Sequence, residues 1–237
     1  MLALRKGWLS TSYSRRILDQ ELAGFRDVFQ GIVLDVGGRR RGQVQYGPLI
    51  GQGVHRWLTL NIDRAAKPHL LADATALPLA SRSVNVVICT QVLEHMKQPI
   101  LAIEEMYRVL RSPDPGSGLP GGVLVLSVPF LYRIHGAPQD YLRFTEYFLR
   151  HSVEMAGFRI VQLKKLGLFF AVLCDMIKQA ISEVQPAPLR WGLGLLFLPV
   201  AELLIGLERC PWIQRSRTLN TYTTGYLLVA EKLSQEE

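Results

Sequence analysis

The chain is poor in cysteine, with only Cys89, Cys174 and Cys210 in 237 residues. None forms a CxxC pair, and no cysteine–histidine spacing suits zinc, so a disulfide framework or a zinc module is excluded and no metal ligand set is expected. Cys89 lies inside an apolar run and reads as core packing, and the thiols suit a reducing, intracellular compartment. The segment Met1 to Arg16 mixes Arg5, Lys6, Arg15 and Arg16 with polar residues. It has no apolar signal-peptide core, so export is not expected. A membrane-spanning helix needs about 20 apolar residues. The stretch Trp191–Leu207 is 17 residues long in all, contains Glu202, and is interrupted by Pro199. The phosphate turn of dinucleotide oxidoreductases, G-x-G-x-x-G, is also missing: the chain reads Gly37-Gly38-Arg39-Arg40-Arg41-Gly42 at the place where it belongs. There is no internal repeat.

What is present describes a globular protein. Apolar residues make up 49% and charged residues 20%, enough for a sizeable core in one α/β domain with insertions. The net charge of +7, from 27 Lys and Arg against 20 Asp and Glu, suits an acidic partner or plain solubility.

Strands and helices alternate. Strand signals fall at Ile32–Val36, Trp57–Ile62, Leu70–Ala72, Val84–Thr90, Val123–Val128, Phe158–Leu163 and Tyr222–Ala230. Helical periodicity falls at Ser14–Phe29, Ile100–Leu110 and Thr145–Ala156, the last with Thr145 as N-cap and Gly157 as C-terminal stop. Gly38–Gln45 is a polar, basic loop, and Ser112–Gly122 reads as another loop. This alternation implies parallel pairing and right-handed crossovers. Two apolar blocks, Leu166–Ile177 and Trp191–Leu207, break the rhythm. With Arg190, Arg209, Arg215 and Arg217 around the second, they read as a buried helix pair, a lid or an interfacial element. The division expected is one domain over 1–237: an N-terminal helix at 14–29, a core of 31–165 and 218–232, and an apolar insertion at 166–215.

The chemistry-bearing residues cluster at strand ends. Asp35, Gly37 and Gly38 follow strand one; Asn61, Ile62 and Asp63 follow strand two. Asp73 and Ala74 follow strand three; Thr90, Gln91 and His95 follow strand four. In an open parallel sheet these ends border one crevice. Carboxylates and amides there can take ribose hydroxyls and an adenine amino group, and glycines permit close backbone approach.

The stretches VLDVGG (Val33–Gly38), LADATALPLASRSVNVVICTQVLEH (Leu71–His95) and EEMYRVLRSP…GGVLVLSVPF (Glu104–Phe130) resemble the class I S-adenosylmethionine-dependent methyltransferases. The resemblance implies a Rossmann-like seven-stranded, mostly parallel sheet of order 3-2-1-4-5-7-6 with helices on both faces and its last strand antiparallel. It implies S-adenosyl-L-methionine as cofactor, with Asp35, Gly37 and Gly38 flanking its methionine part. Asn61 or Asp63 would take the ribose, Asp73 with Ala74 the adenine, and Gln91 would lie near the reaction centre. Arg39 replaces a glycine of the usual signature; it pairs with the cofactor carboxylate or points to solvent.

A narrower resemblance covers Val128–Phe130 and His135–Thr145 (HGAPQDYLRFT), and is to a subgroup linked with surface-polysaccharide and small-molecule methylation. His135 can act as a base, oriented by Asp140, with Arg143 holding an anionic group; alternatively Asp140 and Arg143 pair and fix the loop. His95 either orients the loop after strand four or moves a proton. His55, His69 and His151 show no partner pattern. The function expected is methyl transfer to a hydroxyl of a small molecule or glycan, lipid-linked in one variant. A non-catalytic cofactor-binding module and an RNA methyltransferase are the alternatives. Thr90-Gln91-Val92-Leu93 lacks the polar-proline-aromatic clasp of flipped-base DNA enzymes, and nucleic acid is not the expected partner. The expected location is cytoplasmic, with peripheral membrane contact through 166–215.

Overall fold

The computed structural model describes residues 8, 11–39, 46, 50–114, 116 and 120–233. Most of the basic loop after strand one, and part of the Ser112–Gly122 loop, lie outside the described residues. Seven strands form one sheet in the order β3-β2-β1-β4-β5-β7-β6. They are β1 (Gly31–Val36), β2 (Val54–Asn61), β3 (Leu70–Leu71), β4 (Val86–Thr90), β5 (Val123–Pro129), β6 (Phe158–Lys165) and β7 (Gly225–Lys232). The expected order is the observed one.

β1 sits between β2 and β4 and pairs parallel with both, Leu34 opposite Leu58 on one side and Val87 on the other. A central strand flanked in this way is covered on both faces, which is why its sequence is apolar apart from the buried Asp35 near its end. Val33, Leu34, Val87, Ile88, Cys89, Leu124, Val125 and Leu126 are all fully buried. Lys232 N–H donates to Gly122 O before β5, while Phe130 N–H after β5 donates to Thr224 O before β7. The start of one strand thus meets the end of the other, so β7 runs antiparallel to β5.

Helix α1 (Tyr13–Ala23) comes first in the chain, and α2 (Pro99–Val109) and α3 (Glu146–Met155) accompany the strands. Pro99 opens α2, where its missing N–H costs nothing. Thr145 Oγ1 accepts from Phe148 N–H and caps α3, and Gly157 closes it at φ +98°. Several expected boundaries shift: β2 starts at Val54 instead of Trp57, β4 at Val86 instead of Val84, and β6 runs on to Lys165. The helix expected over 14–29 ends at Ala23, followed by a 3₁₀ turn at Arg26–Val28, because Gly24 breaks a period that Phe25 and Phe29 prolong in the sequence. The last strand starts at Gly225, not Tyr222, since 219–221 form another 3₁₀ turn.

The chain divides into two compact units. One holds the sheet and comprises 22–129, 133–164 and 226–237. The other comprises 1–21, 130–132 and 165–225 and contains α4 (Phe169–Ser182), α5 (Ala187–Leu207) and α6 (Pro211–Gln214). In the second unit Tyr13, Cys174 and Ala201 form a buried cluster against which Phe197, Leu204 and Ile205 of α5 pack. Asp175 accepts from the Tyr13 and Ser14 amides, and Glu208 accepts from the Leu168 and Ala171 amides. Both carboxylates cap helix starts, where free N–H groups favour negative charge.

Candidate active site

At the C-terminal ends of β1, β2 and β3 the backbone opens into a cavity of about 960 Å³. Its wall includes Gly37, Arg39, Asn61, Ile62, Asp63, Asp73, Ala74, Thr75, Val92, His95, Met96, Gly136 and Tyr141. Seven of the residues expected to hold the cofactor are therefore in the wall: Gly37, Asn61, Ile62, Asp63, Asp73, Ala74 and His95. Asp35, Gly38, Thr90 and Gln91 stand behind it.

The glycine turn is held from below. Gly37 has φ +79°, and a Cβ there would lie 2.4 Å from Val92 Cγ2. Its N–H donates to Leu60 O at 2.8 Å. Asn61 Nδ2 donates to Gly37 O at 2.8 Å and Gly38 O at 3.3 Å, while Asn61 Oδ1 accepts from Asp63 N–H at 2.9 Å. The amide of Asn61 is thus engaged with the turn, and Asp63 is the carboxylate that the end of β2 brings to the cavity wall. Asp63 Oδ1 caps the 3₁₀ turn at Arg64–Ala66. Asp73 Oδ1 accepts from both Thr75 N–H and Thr75 Oγ1–H at 2.9 Å, which fixes its carboxylate at the cavity edge.

Asp35 is buried, and Trp57 Nε1–H donates to its Oδ2 at 3.3 Å. Burial pushes the Asp35 carboxyl up to about 7, with the Trp57 bond opposing. Trp57 stacks on Tyr46 (centroids 5.7 Å apart, 27° between planes), and the Tyr46 and Thr90 hydroxyls are 2.6 Å apart. Thr90 therefore closes a Thr90–Tyr46–Trp57–Asp35 chain beneath the site. Sequence reasoning missed Tyr46 and Trp57. Tyr46 follows the polar, basic loop with no periodicity to mark it, and Trp57 reads as one more apolar strand residue. Gln91 adopts φ +56°, uncommon for a residue other than glycine, and its Nε2–H donates to Ser127 Oγ at 3.2 Å. Its amide engages β5. His69, which shows no partner in the sequence, accepts at Nδ1 from Thr59 N–H at 3.1 Å and so ties β2 to the approach of β3.

On the opposite rim the loop after β5 folds back onto the 3₁₀ turn Leu93–His95, with Tyr141 and Leu142 N–H donating to Glu94 O. Arg143 grips Asp140 with both guanidinium nitrogens, at 2.5 and 2.9 Å. It also donates to the Arg133 and Leu142 carbonyls. Asp140 Oδ2 accepts from His135 N–H at 2.8 Å. The Arg143 bond holds the Asp140 carboxyl well below the usual carboxylate range. Of the two roles open to this pair in the sequence, the geometry engages both side chains in fixing the loop. That loop presents His135, whose ring meets that of His95 edge-on at 4.9 Å. Between them lies Glu94, fully buried. Burial pushes its carboxyl up to about 7 and pulls His135 below its ordinary value. Glu94 stands unremarked in the sequence because a glutamate opening a turn after a strand reads as solvent-facing.

A crevice at the carboxyl ends of parallel strands, edged by carboxylates and floored by a glycine turn, defines a nucleoside-binding α/β site. A methyltransferase-domain family model matches residues 55–114. An uncharacterized methyltransferase of Mycobacteroides abscessus is 42% identical over 59 residues, 25% of this chain and 20% of that protein. The chain thus aligns with about a fifth of that relative's length. Three solved structures share the fold. The [4+2]-cyclase SpnF has a TM-score of 0.57 at 17% identity, covering 97% of this chain and 86% of that one. A SAM dependent methyltransferase from Archaeoglobus fulgidus has 0.57 at 14%, covering 96% and 97%. An S-adenosylmethionine dependent methyltransferase from Mesorhizobium loti has 0.54 at 13%, covering 94% and 100%. Residues 55–114 are thus similar to a methyltransferase domain, and the fold is one shared with S-adenosylmethionine dependent methyltransferases.

The residues present fit S-adenosylmethionine. Ile62 is 73% exposed at the cavity wall, an apolar surface that a nucleobase would cover. Gly37 leaves room where any Cβ would intrude, and Asp63 and Asp73 supply carboxylates for hydroxyl and amino donors.

Proposed function

We propose that this protein transfers a methyl group from S-adenosylmethionine to a hydroxyl oxygen of a small molecule or glycan. The observation that carries the reading is that His95, which packs beside Glu94 and His135, lines the same cavity as the glycine and carboxylate wall. One side suits an adenosyl ligand and the other a polar acceptor. When bound, S-adenosylmethionine supplies an electrophilic methyl group on a positively charged sulfur. The Gly37 turn and Asp35 would hold its amino-acid end, Asp63 its ribose hydroxyls, and Asp73 would accept from its adenine amino group. The histidine rim would take up the proton that the acceptor hydroxyl gives up. Positioning in a sheltered pocket is the main catalytic contribution.

The acceptor class follows from a second observation. On α5, Leu189, Leu193, Leu196, Val200 and Leu203 recur at alternating spacings of four and three and are 37–74% exposed. The opposite side of the helix is the one that packs within its unit. An apolar stripe of this kind, beside Arg190, Arg209, Arg215 and Arg217, suits the plane of an anionic lipid surface. The acceptor is then a lipid-linked compound reached from the cytoplasm. SpnF, a cyclase on the same fold, supports keeping a second reading in which the cofactor is bound without methyl transfer.

The test is calorimetry with S-adenosylhomocysteine, followed by transfer of labelled methyl to hydroxyl-bearing acceptors, free and lipid-linked. Binding with turnover supports the proposal. Binding without turnover on any acceptor favours the cyclase-like reading, and no binding ends both.

A further inference from the structure

We propose that Glu94, His95 and His135 form a binding site for one divalent transition-metal cation at the acceptor rim of the cavity. Glu94 Oε1 lies 3.7 Å from His95 Nε2 and 3.6 Å from His135 Nε2. These separations are too long for hydrogen bonds. They approach the roughly 3.4 Å edge of a tetrahedron whose corners lie about 2.1 Å from a central cation. One ligand atom from each of the three residues falls within 4.8 Å of the others.

Two further observations point to a ligand. Glu94 is fully buried, and among the described residues neither of its carboxylate oxygens has a hydrogen-bond partner. A carboxylate in that position needs a compensating charge. The second nitrogen of each imidazole also meets an oxygen. His95 Nδ1 bonds the Gln139 carbonyl, and His135 Nδ1 lies 3.3 Å from the Arg133 carbonyl and 3.4 Å from Asp140 Oδ2. A carbonyl accepts only from N–H, so Nδ1 carries the proton in both rings and the Nε2 lone pairs turn toward Glu94. Outer partners that set the tautomer in this way are the usual support of metal-bound histidines. Two imidazoles and one carboxylate leave coordination positions open, and suit Zn²⁺, Fe²⁺, Mn²⁺ or Co²⁺. The bidentate Asp140–Arg143 pair serves the same end by holding His135 in place.

His95 belongs to the cavity wall, so an acceptor hydroxyl can take an open position. Its proton affinity would fall on the cation and its proton pass to water, with His135 as ligand instead of base. This role rests on the methyl-transfer reading; the cation site itself does not.

The full chain, stripped with chelator, is titrated with Zn²⁺, Mn²⁺ and Co²⁺ and followed by calorimetry, metal analysis and the visible spectrum of Co²⁺. One cation per chain is expected. Glu94→Gln and His135→Asn should each weaken binding tenfold or more. Metal-free melting curves show that the variants fold, and the cation should raise the melting temperature of the unaltered chain only. No stoichiometric binding by the unaltered chain overturns the site, as does equal binding by both folded variants. S-adenosylhomocysteine binding to the unaltered chain is measured in parallel. Its absence would defeat the methyltransferase reading and leave the cation site standing.

Discussion

The indole N–H of Trp57 points at Asp35 Oδ2 from 3.3 Å, joining neighbouring strands β1 and β2 beneath the glycine turn. This bond opposes the burial that pushes the Asp35 carboxyl up to about 7. Because the folded value lies above the unfolded one, the folded state holds this proton more tightly. The associated stability is full below about pH 4 and is lost as pH rises through about 7. Asp35→Asn should remove a share of that slope of roughly 3–4 kcal/mol between those limits. Urea denaturation across pH 4–8 measures it, and an unchanged slope would clear Asp35 of the role.

Gly37→Ala should be costly. The left-handed backbone alone costs about 1–2 kcal/mol for a residue with a Cβ, and the new atom meets Val92 Cγ2 at 2.4 Å. Denaturant midpoints should fall by at least that amount, and S-adenosylhomocysteine affinity should fall with them. A variant as stable as the parent would show that the turn relaxes.

Asp73→Ala should weaken S-adenosylhomocysteine by about 1.5–3 kcal/mol, the value of a hydrogen bond to a charged group. Calorimetry reads this directly. Unchanged affinity would remove Asp73 from the adenine position.

The leucine stripe of α5 predicts binding to anionic vesicles that weakens in high salt. Leu196 and Leu203 are 74% and 65% exposed, so Leu196→Asp with Leu203→Asp should spare folding. Each leucine removed from the lipid gives up about 1.5–3 kcal/mol of burial, so the bound fraction in sedimentation should collapse. No pelleting by the unaltered chain at either salt concentration would retire the membrane partner.

Much of this was legible in the chain itself. Strands buried on both faces must be apolar throughout, so β1, β4 and β5 announce themselves, and the residues that close them face one crevice. Thr145 and Gly157 mark the ends of α3 because capping is local chemistry. The end of α1 was not legible, since Phe25 and Phe29 keep the helical period past the glycine that stops it.

The strands themselves, the glycine turn and the carboxylates at the strand ends were determined by the sequence, because each depends on short-range rules of period, turn and strand end; the order of the strands was what the family resemblance implied. Only the tertiary structure decided the rest. Whether Asn61 faces a ligand or its own backbone depends on how β2 sits against β1. Whether Glu94 meets water or two imidazoles depends on a loop more than 40 residues away folding back over it. Contacts between distant segments leave no periodic trace, because no single segment carries both partners.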